Sequence, residues 1–425
     1  MTPSHSSPIW HPFTQHGLQP EMIAVRGARG AWLKTRDDDL ILDAISSWWV
    51  VTHGHGHPRV VGAIEEQARR LDQVIFAGFT HAPAEMLARG LIEIAPQGLA
   101  HVFYSDSGST SVEVALKMAL GYFHNIGEPR RRIVALEHGY HGDTVGSMSV
   151  GARGAFTTAY EPLLFDVERI PFPSAGNEQA TVDAFEAACA SAPTAALIIE
   201  PLVLGAGGML IYEADVLREL KRVAERHGVL FIADEVMTGW GRTGALFACD
   251  KAGISPDIMC LAKGITGGSL PLAVTLCTAP IFDAHCSSDR SRTFFHSSSY
   301  TANPIACAAA VANLDIWNTE PVMERVAAIT DAHGERLARL SEHPAFENAR
   351  QIGTIAAIDL KVEDAGYLAG IGPRLMGYFL DRGVLLRPLG NTIYVMPPYC
   401  ITPAELDLVY AAIADAPDAL AESAT

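Results

Sequence analysis

The sequence predicts an α/β fold with a mostly parallel sheet covered by helices, and three observations lead to it. Short apolar runs alternate with helical patterns from about Val102 to Leu276, the signature of strands joined through crossover helices. Those runs are apolar at nearly every position rather than at every second one, which implies burial on both faces of the sheet. The chain has 425 residues, 49% of them apolar, enough to build a large core and more than one domain.

The expected strands are Val102–Ser105, Ile133–Glu137, Ala195–Glu200, Val229–Asp234, Ile258–Leu261 and Ala273–Thr278. The first hundred residues are rich in turns marked by Pro and Gly, and the last hundred return to amphipathic helices and short strands. Thr402-Pro403-Ala404-Glu405 is a capping box with Pro at the first helical position. Leu406, Val409, Tyr410 and Ile413 follow at helical spacing, so a C-terminal helix is expected there. The Ser-rich stretch from Asp283 to Pro304 reads as a long loop.

Composition narrows the function. A net charge of -17 repels nucleic acid and anionic membrane surfaces. Seven scattered cysteines without a Cys-x-x-Cys suit a reducing cytoplasm. The N-terminal MTPSHSSPIW has no basic region followed by an apolar run, and no apolar stretch reaches the length of a membrane span. A soluble, unprocessed, cytoplasmic protein is expected.

In open α/β sheets, ligands collect where strands end, so polar residues just after a strand are the first candidates for chemistry. The run Val229-Leu-Phe-Ile-Ala-Asp234 ends in a carboxylate, and Ile258-Met-Cys-Leu261 leads into Ala262-Lys263-Gly264, with Lys263 twenty-nine residues after Asp234. An aspartate and a lysine at neighbouring strand ends suit pyridoxal phosphate, whose ring nitrogen needs a carboxylate and whose aldehyde needs an amine. A buried ion pair satisfies the same spacing. Asp106-Ser107-Gly108-Ser109-Thr110 joins a strand to a helix and would cradle a phosphate, or serve as an ordinary N-cap. His53, His55 and His57 alternate but have no Cys or carboxylate beside them, so they are read as turn and hydrogen-bonding residues and no metal is expected. Motifs for dinucleotide binding, Walker A phosphate binding, zinc proteases and serine hydrolases are absent from the sequence.

Three separated motifs together resemble the class III, fold type I pyridoxal-phosphate aminotransferases. They are Ala233-Asp234-Glu235-Val236-Met-Thr-Gly-Trp-Gly-Arg242-Thr-Gly244, Ala262-Lys263-Gly264, and His296-Ser-Ser-Ser299-Tyr-Thr-Ala-Asn-Pro304. The resemblance covers nearly the whole chain. It implies a large cofactor-binding domain over residues 61–319 and a smaller α+β domain from residues 1–60 and 320–425. It also implies that Lys263 carries the cofactor as a Schiff base and moves protons, that Asp234 meets the ring nitrogen and that Val236 lies against a ring face. Gly108 and Ser109 would bind the phosphate, with Ser299 completing that site from the other subunit of an obligate homodimer.

Trp10-His-Pro-Phe13, Ser46-Ser-Trp48-Trp49, His138-Gly-Tyr140-His-Gly-Asp143 and Leu386-Arg387-Pro388 followed by Tyr394-Val-Met-Pro-Pro-Tyr399 are similar to the branch of the family that aminates 8-amino-7-oxononanoate in biotin biosynthesis. That likeness implies Tyr140 stacked over the cofactor, Trp48 and Trp49 as a substrate wall, and Arg387 gripping the substrate carboxylate. S-adenosylmethionine is the expected amino donor, its ammonium paired with Asp143, with lysine the alternative; another acceptor, as in general omega-aminotransferases, is the other open reading. Two departures stand out: Phe13 replaces a tyrosine found in some members, and Ser298-Ser299 replaces a Pro-Thr pair. Ala206 stands where ornithine and 4-aminobutyrate aminotransferases carry an acidic partner for the substrate arginine, which leaves Arg387 free for a carboxylate.

Overall fold

The computed structural model describes residues 7–18, 22–363 and 365–422, so the first six residues of the N-terminal segment lie outside the described residues. At its centre is a seven-stranded sheet in the order Leu99–Ser105, Ala273–Thr278, Ile258–Leu261, Leu230–Asp234, Thr194–Ile199, Arg132–Leu136 and Glu168–Ile170. Leu230–Asp234 runs parallel to both of its neighbours, as does Arg132–Leu136. Ala273–Thr278 is the reversed strand, antiparallel to both of its own. The connection 262–272 that precedes it holds one short 3-10 turn, Lys263–Thr266, rather than a crossover helix, and a chain that returns without a crossover comes back antiparallel.

All six expected strands form, with ends displaced by a residue or a few. Leu99–Ser105 begins three residues earlier than anticipated. The edge strand Glu168–Ile170 was not anticipated, since three residues with two charges carry no apolar run. Every position of Thr194–Ile199, Leu230–Asp234 and Ile258–Leu261 is buried, as continuous apolar runs require of strands covered on both faces.

Segments near the two chain ends share a second sheet. Val25–Arg29, Trp32–Thr35 and Leu40–Asp43 form an antiparallel meander, and Val384–Leu385 adds in parallel beside Leu40–Asp43. A third sheet joins Phe346–Ile352, Ile355–Leu360 and Thr392–Val395. The C-terminal helix Pro403–Glu422 starts at the expected capping box: the Glu405 carboxylate accepts from the Thr402 N–H at 2.7 Å, and the Thr402 hydroxyl accepts from the Glu405 N–H at 3.2 Å.

The expected loop from Asp283 is partly helical, because Ala279–His285 extends through its first residues. An irregular stretch with one 3-10 turn, Arg290–Arg292, then leads to the helix Pro304–Thr319, capped by the Asn303 side chain. The three alternating histidines do not converge. His53 bonds Asn313 at 2.8 Å, His55 bonds Asp43 at 2.8 Å and His57 faces Glu320 at 3.2 Å, each on a different element. No group of three or more His, Cys, Asp or Glu among the described residues is arranged to hold a metal ion. Among the described residues, no helix is long and apolar enough to cross a membrane.

Candidate active site at the carboxyl edge of the sheet

Where the parallel strands end, a cavity of about 490 Å³ opens between the large sheet and the segments contributed by the chain ends. Asp234 is the last residue of its strand and is almost fully buried. One carboxylate oxygen accepts from the Val236 N–H at 3.1 Å, and the other lies 2.7 Å from Nδ1 of buried His141. These two contacts fix the orientation of the carboxylate, since polar oxygens buried this deeply are tolerated only when they have partners.

The neighbouring strand is in register with this one, Asp234 opposite Cys260, so the chain delivers Lys263 to the same edge three residues later. Lys263 has a φ of 46°, an uncommon left-handed conformation for a residue with a side chain, and it lines the cavity. Burial pushes its amine down to about 8; the negative charges of Asp234 and Glu200 oppose that shift, and Arg242 adds to it. Its Nζ sits 4.8 Å from the centroid of the Trp49 ring.

Glu200 caps the next parallel strand in the way Asp234 caps its own. It accepts the Tyr140 N–H at 2.9 Å and the Gly205 N–H at 3.0 Å, and burial raises it to about 7. The sequence carries a signal for Glu200, an acidic residue closing an apolar strand, whereas His141, inside the motif around Tyr140, has none beyond its place there.

The anion cradle is the start of the helix Gly108–Asn125. The Ser107 hydroxyl caps it by accepting from the Thr110 N–H at 3.2 Å, and Ser107, Gly108 and Ser109 line the cavity at this helix start, where first-turn amides have no partner within the helix. Gly108 is required here, because a Cβ would come within 2.7 Å of Val236 Cγ1. The Ser109 hydroxyl accepts from the Asp143 N–H at 3.1 Å, tying the cradle to the loop that carries Tyr140. Burial raises the Tyr140 phenol far above its ordinary value, with the Asp143 carboxylate adding to the shift.

The opposite wall comes mostly from segments near the chain ends, with Phe156 added from the middle of the chain. Phe13, Trp48 and Phe156 form a chain of ring contacts, with centroids 5.8 Å apart in each pair, and Tyr367 packs edge-on to Phe156 at 4.5 Å. Trp49 is buried, and its indole N–H donates to the Tyr394 hydroxyl at 2.9 Å. The Arg387 guanidinium lies 5.1 Å from the Trp48 ring centroid and donates to the Phe13 carbonyl at 3.0 Å. Ala206 lines the cavity, and no carboxylate among the described residues pairs with Arg387.

Of the residues singled out in the sequence, the cavity gathers Phe13, Trp48, Trp49, Gly108, Ser109, Tyr140, Asp234, Val236, Lys263 and Arg387. Asp143 and Ser299 are not on its wall. Asp143 is exposed behind Tyr140, and Ser299 lies on an exposed stretch where its carbonyl accepts from the Gln73 side chain at 2.6 Å. Tyr394, from the motif that follows Arg387, also lines the cavity, and Phe156 and Tyr367 complete the wall without any signal in the sequence.

An amine lowered by burial, a fixed carboxylate on the adjacent strand and a glycine-tight helix start between them fit pyridoxal phosphate. The fold is that of the fold type I pyridoxal-phosphate enzymes, and the cofactor is pyridoxal phosphate. The chain belongs to the class III aminotransferases, matching the family described as Aminotransferase class-III over residues 13–416. It is 50% identical to the adenosylmethionine-8-amino-7-oxononanoate aminotransferase of Synechococcus elongatus, over 97% of this chain and 99% of that one. It is 38% identical to the enzyme of the same name from Geobacter sulfurreducens, over 94% and 93%. Among solved structures, the corresponding Methanocaldococcus jannaschii protein superposes with a TM-score of 0.90 at 34% identity, covering 96% of each chain. An amine transaminase from an uncultivated Pseudomonas species, solved with the cofactor bound, gives 0.91 at 34% identity, covering 96% of this chain and 97% of that one.

Proposed function

We propose that this aminotransferase moves an amino group from S-adenosylmethionine to 8-amino-7-oxononanoate, giving 7,8-diaminononanoate for biotin biosynthesis. The observation that carries this reading is Arg387, a guanidinium at an aromatic wall with no carboxylate partner among the described residues. The keto substrate is a long apolar chain ending in a carboxylate, and such a wall with one arginine matches it group for group. Full-length likeness to enzymes named for that reaction supports the same reading.

When bound, pyridoxal phosphate supplies an electron sink for the electron pair released at the carbon that bears the amino group. The protein's part is to hold and move protons around it. Asp234, fixed by His141 and the Val236 N–H, keeps a negative charge where the ring nitrogen must stay protonated. Lys263, with its amine lowered to about 8, accepts and returns a proton near neutral pH. The amides after Ser107 would hold the phosphate, and the aromatic wall would keep water from the bound cofactor.

The assembly completing this reading is a cytoplasmic homodimer in which Ser299 reaches the partner's phosphate site. Its exposure outside its own cavity, beside the exposed side chains of Phe295 and Tyr300, supports that arrangement. We take residues 61–319 as the cofactor-binding domain and the two flanking segments as the smaller one. The test is an assay of 8-amino-7-oxononanoate against a panel of donors, with each donor also added alone to the holoenzyme. Conversion of the cofactor by S-adenosylmethionine alone is expected. Conversion by lysine and not by S-adenosylmethionine would replace the donor; no turnover of the keto acid with any donor would remove the acceptor.

A further inference from the structure

The tryptophan wall is carried by a strained piece of backbone. Ser46, Ser47 and Trp49 have φ values of 54°, 59° and 64°, and Ser47 combines its φ with a ψ of -93°. Side-chain-bearing residues hold such conformations only where their surroundings over-determine them. The determinant is Asp43, a carboxylate with no solvent exposure at the end of the strand Leu40–Asp43. Its oxygens accept the Ser47 N–H at 2.9 and 2.8 Å, the Ile45 N–H at 3.3 Å and the Ser47 hydroxyl at 3.3 Å. His55 Nε2 lies 2.8 Å from Oδ2, the oxygen that also takes the Ser47 hydroxyl. Two further ties hold the ends of the turn: the Ser46 hydroxyl donates to the Met396 carbonyl at 2.8 Å, and Trp49 donates to Tyr394. Neither Asp43 nor His55 lines the cavity.

We propose that Asp43, held by His55, is a positioning residue for acceptor specificity: it clamps the Ser46–Trp49 turn so that Trp48 and Trp49 face the cavity at the spacing the substrate chain requires. A buried carboxylate surrounded by donors from one turn fixes that turn more tightly than apolar packing does, because each donor left without it is an unsatisfied buried group. This inference rests on the proposed reading of the tryptophans as the substrate wall.

The test compares Asp43→Asn, His55→Gln and Trp48→Ala as holoenzymes. Asparagine removes the charge and presents an N–H where an acceptor is needed, and His55→Gln provides a milder perturbation should Asp43→Asn fail to fold. In both clamp variants the KM for the keto acid is expected to rise about tenfold with kcat changed less than about threefold, the pattern of lost substrate positioning. The near-ultraviolet circular dichroism of the tryptophans should weaken in parallel. If Trp48→Ala raises KM while the clamp variants leave KM and the tryptophan signal unaltered, or lower kcat with KM unmoved, the clamp is refuted. If Trp48→Ala itself leaves KM unaltered, the wall reading falls and takes this inference with it.

Discussion

The two sides of the cavity are built by opposite means. On the sheet side, Asp234, Glu200 and Lys263 are delivered by adjacent parallel strands whose register alone brings them together, and the strands are buried at every position. On the wall side, Phe13, Trp48, Trp49, Tyr367 and Arg387 come from turns and loops far apart in the chain, tied by side-chain hydrogen bonds and ring contacts. The difference separates chemistry from selection. Groups that must keep sub-ångström geometry through a reaction sit on the rigid ladder, and groups that choose a substrate sit where the backbone can vary without disturbing it.

That division is sharpest if substitutions on the two sides fail differently. Lys263→Ala is expected to abolish turnover, by on the order of 10⁴-fold or more, since nucleophile and proton carrier are lost together. Borohydride reduction and mass analysis of the unaltered protein should place the pyridoxyl group on Lys263 and on no other lysine. Asp234→Asn is expected to cost roughly 10²–10³-fold in kcat while the fold persists, because an amide cannot hold the ring nitrogen protonated. A loss below tenfold, measured by single-turnover absorbance, would reduce Asp234 to a structural residue.

On the wall side the effects should be smaller and appear in binding. Arg387→Ala removes charge-assisted hydrogen bonds of about 1.5–3 kcal/mol, roughly 10–150-fold in affinity, from the keto acid. Separate half-reaction titrations check this, and equal weakening of donor and acceptor would erase the distinction between the two sides. The smallest effect tests the sheet side again. Lys263 must be uncharged to take the cofactor, and its amine is lowered to about 8 rather than standing at 10.5. Between pH 7 and 9 the neutral fraction therefore climbs about tenfold, where an unshifted lysine would gain about a hundredfold. The rate at which apoprotein regains its visible absorption on adding pyridoxal phosphate distinguishes the two slopes.

What could be read in the sequence follows the same line. The strands ending at Asp234 and Leu261, the anion cradle at Gly108 and the C-terminal helix cap were legible because each is a local pattern: an apolar run with a polar end, or a cap with its box. The roles of His141 and Glu200 are not legible along the chain, since they depend on which groups face them across the sheet edge. Phe156 and Tyr367 carry no local signal, because an aromatic residue in a loop reads the same whether it meets a substrate or only its neighbours. By itself the sequence determined the strand order's raw material, the Asp–Lys pair at the strand ends and the acidic charge that turns polyanions away. Only the tertiary structure decided that Ala273–Thr278 runs backwards, that Asp143 and Ser299 stand off the cavity wall of their own chain, and that Asp43 and His55 grip the tryptophan turn. Periodicity and capping act within a few residues along the chain, whereas these outcomes depend on groups that meet only after distant segments have packed.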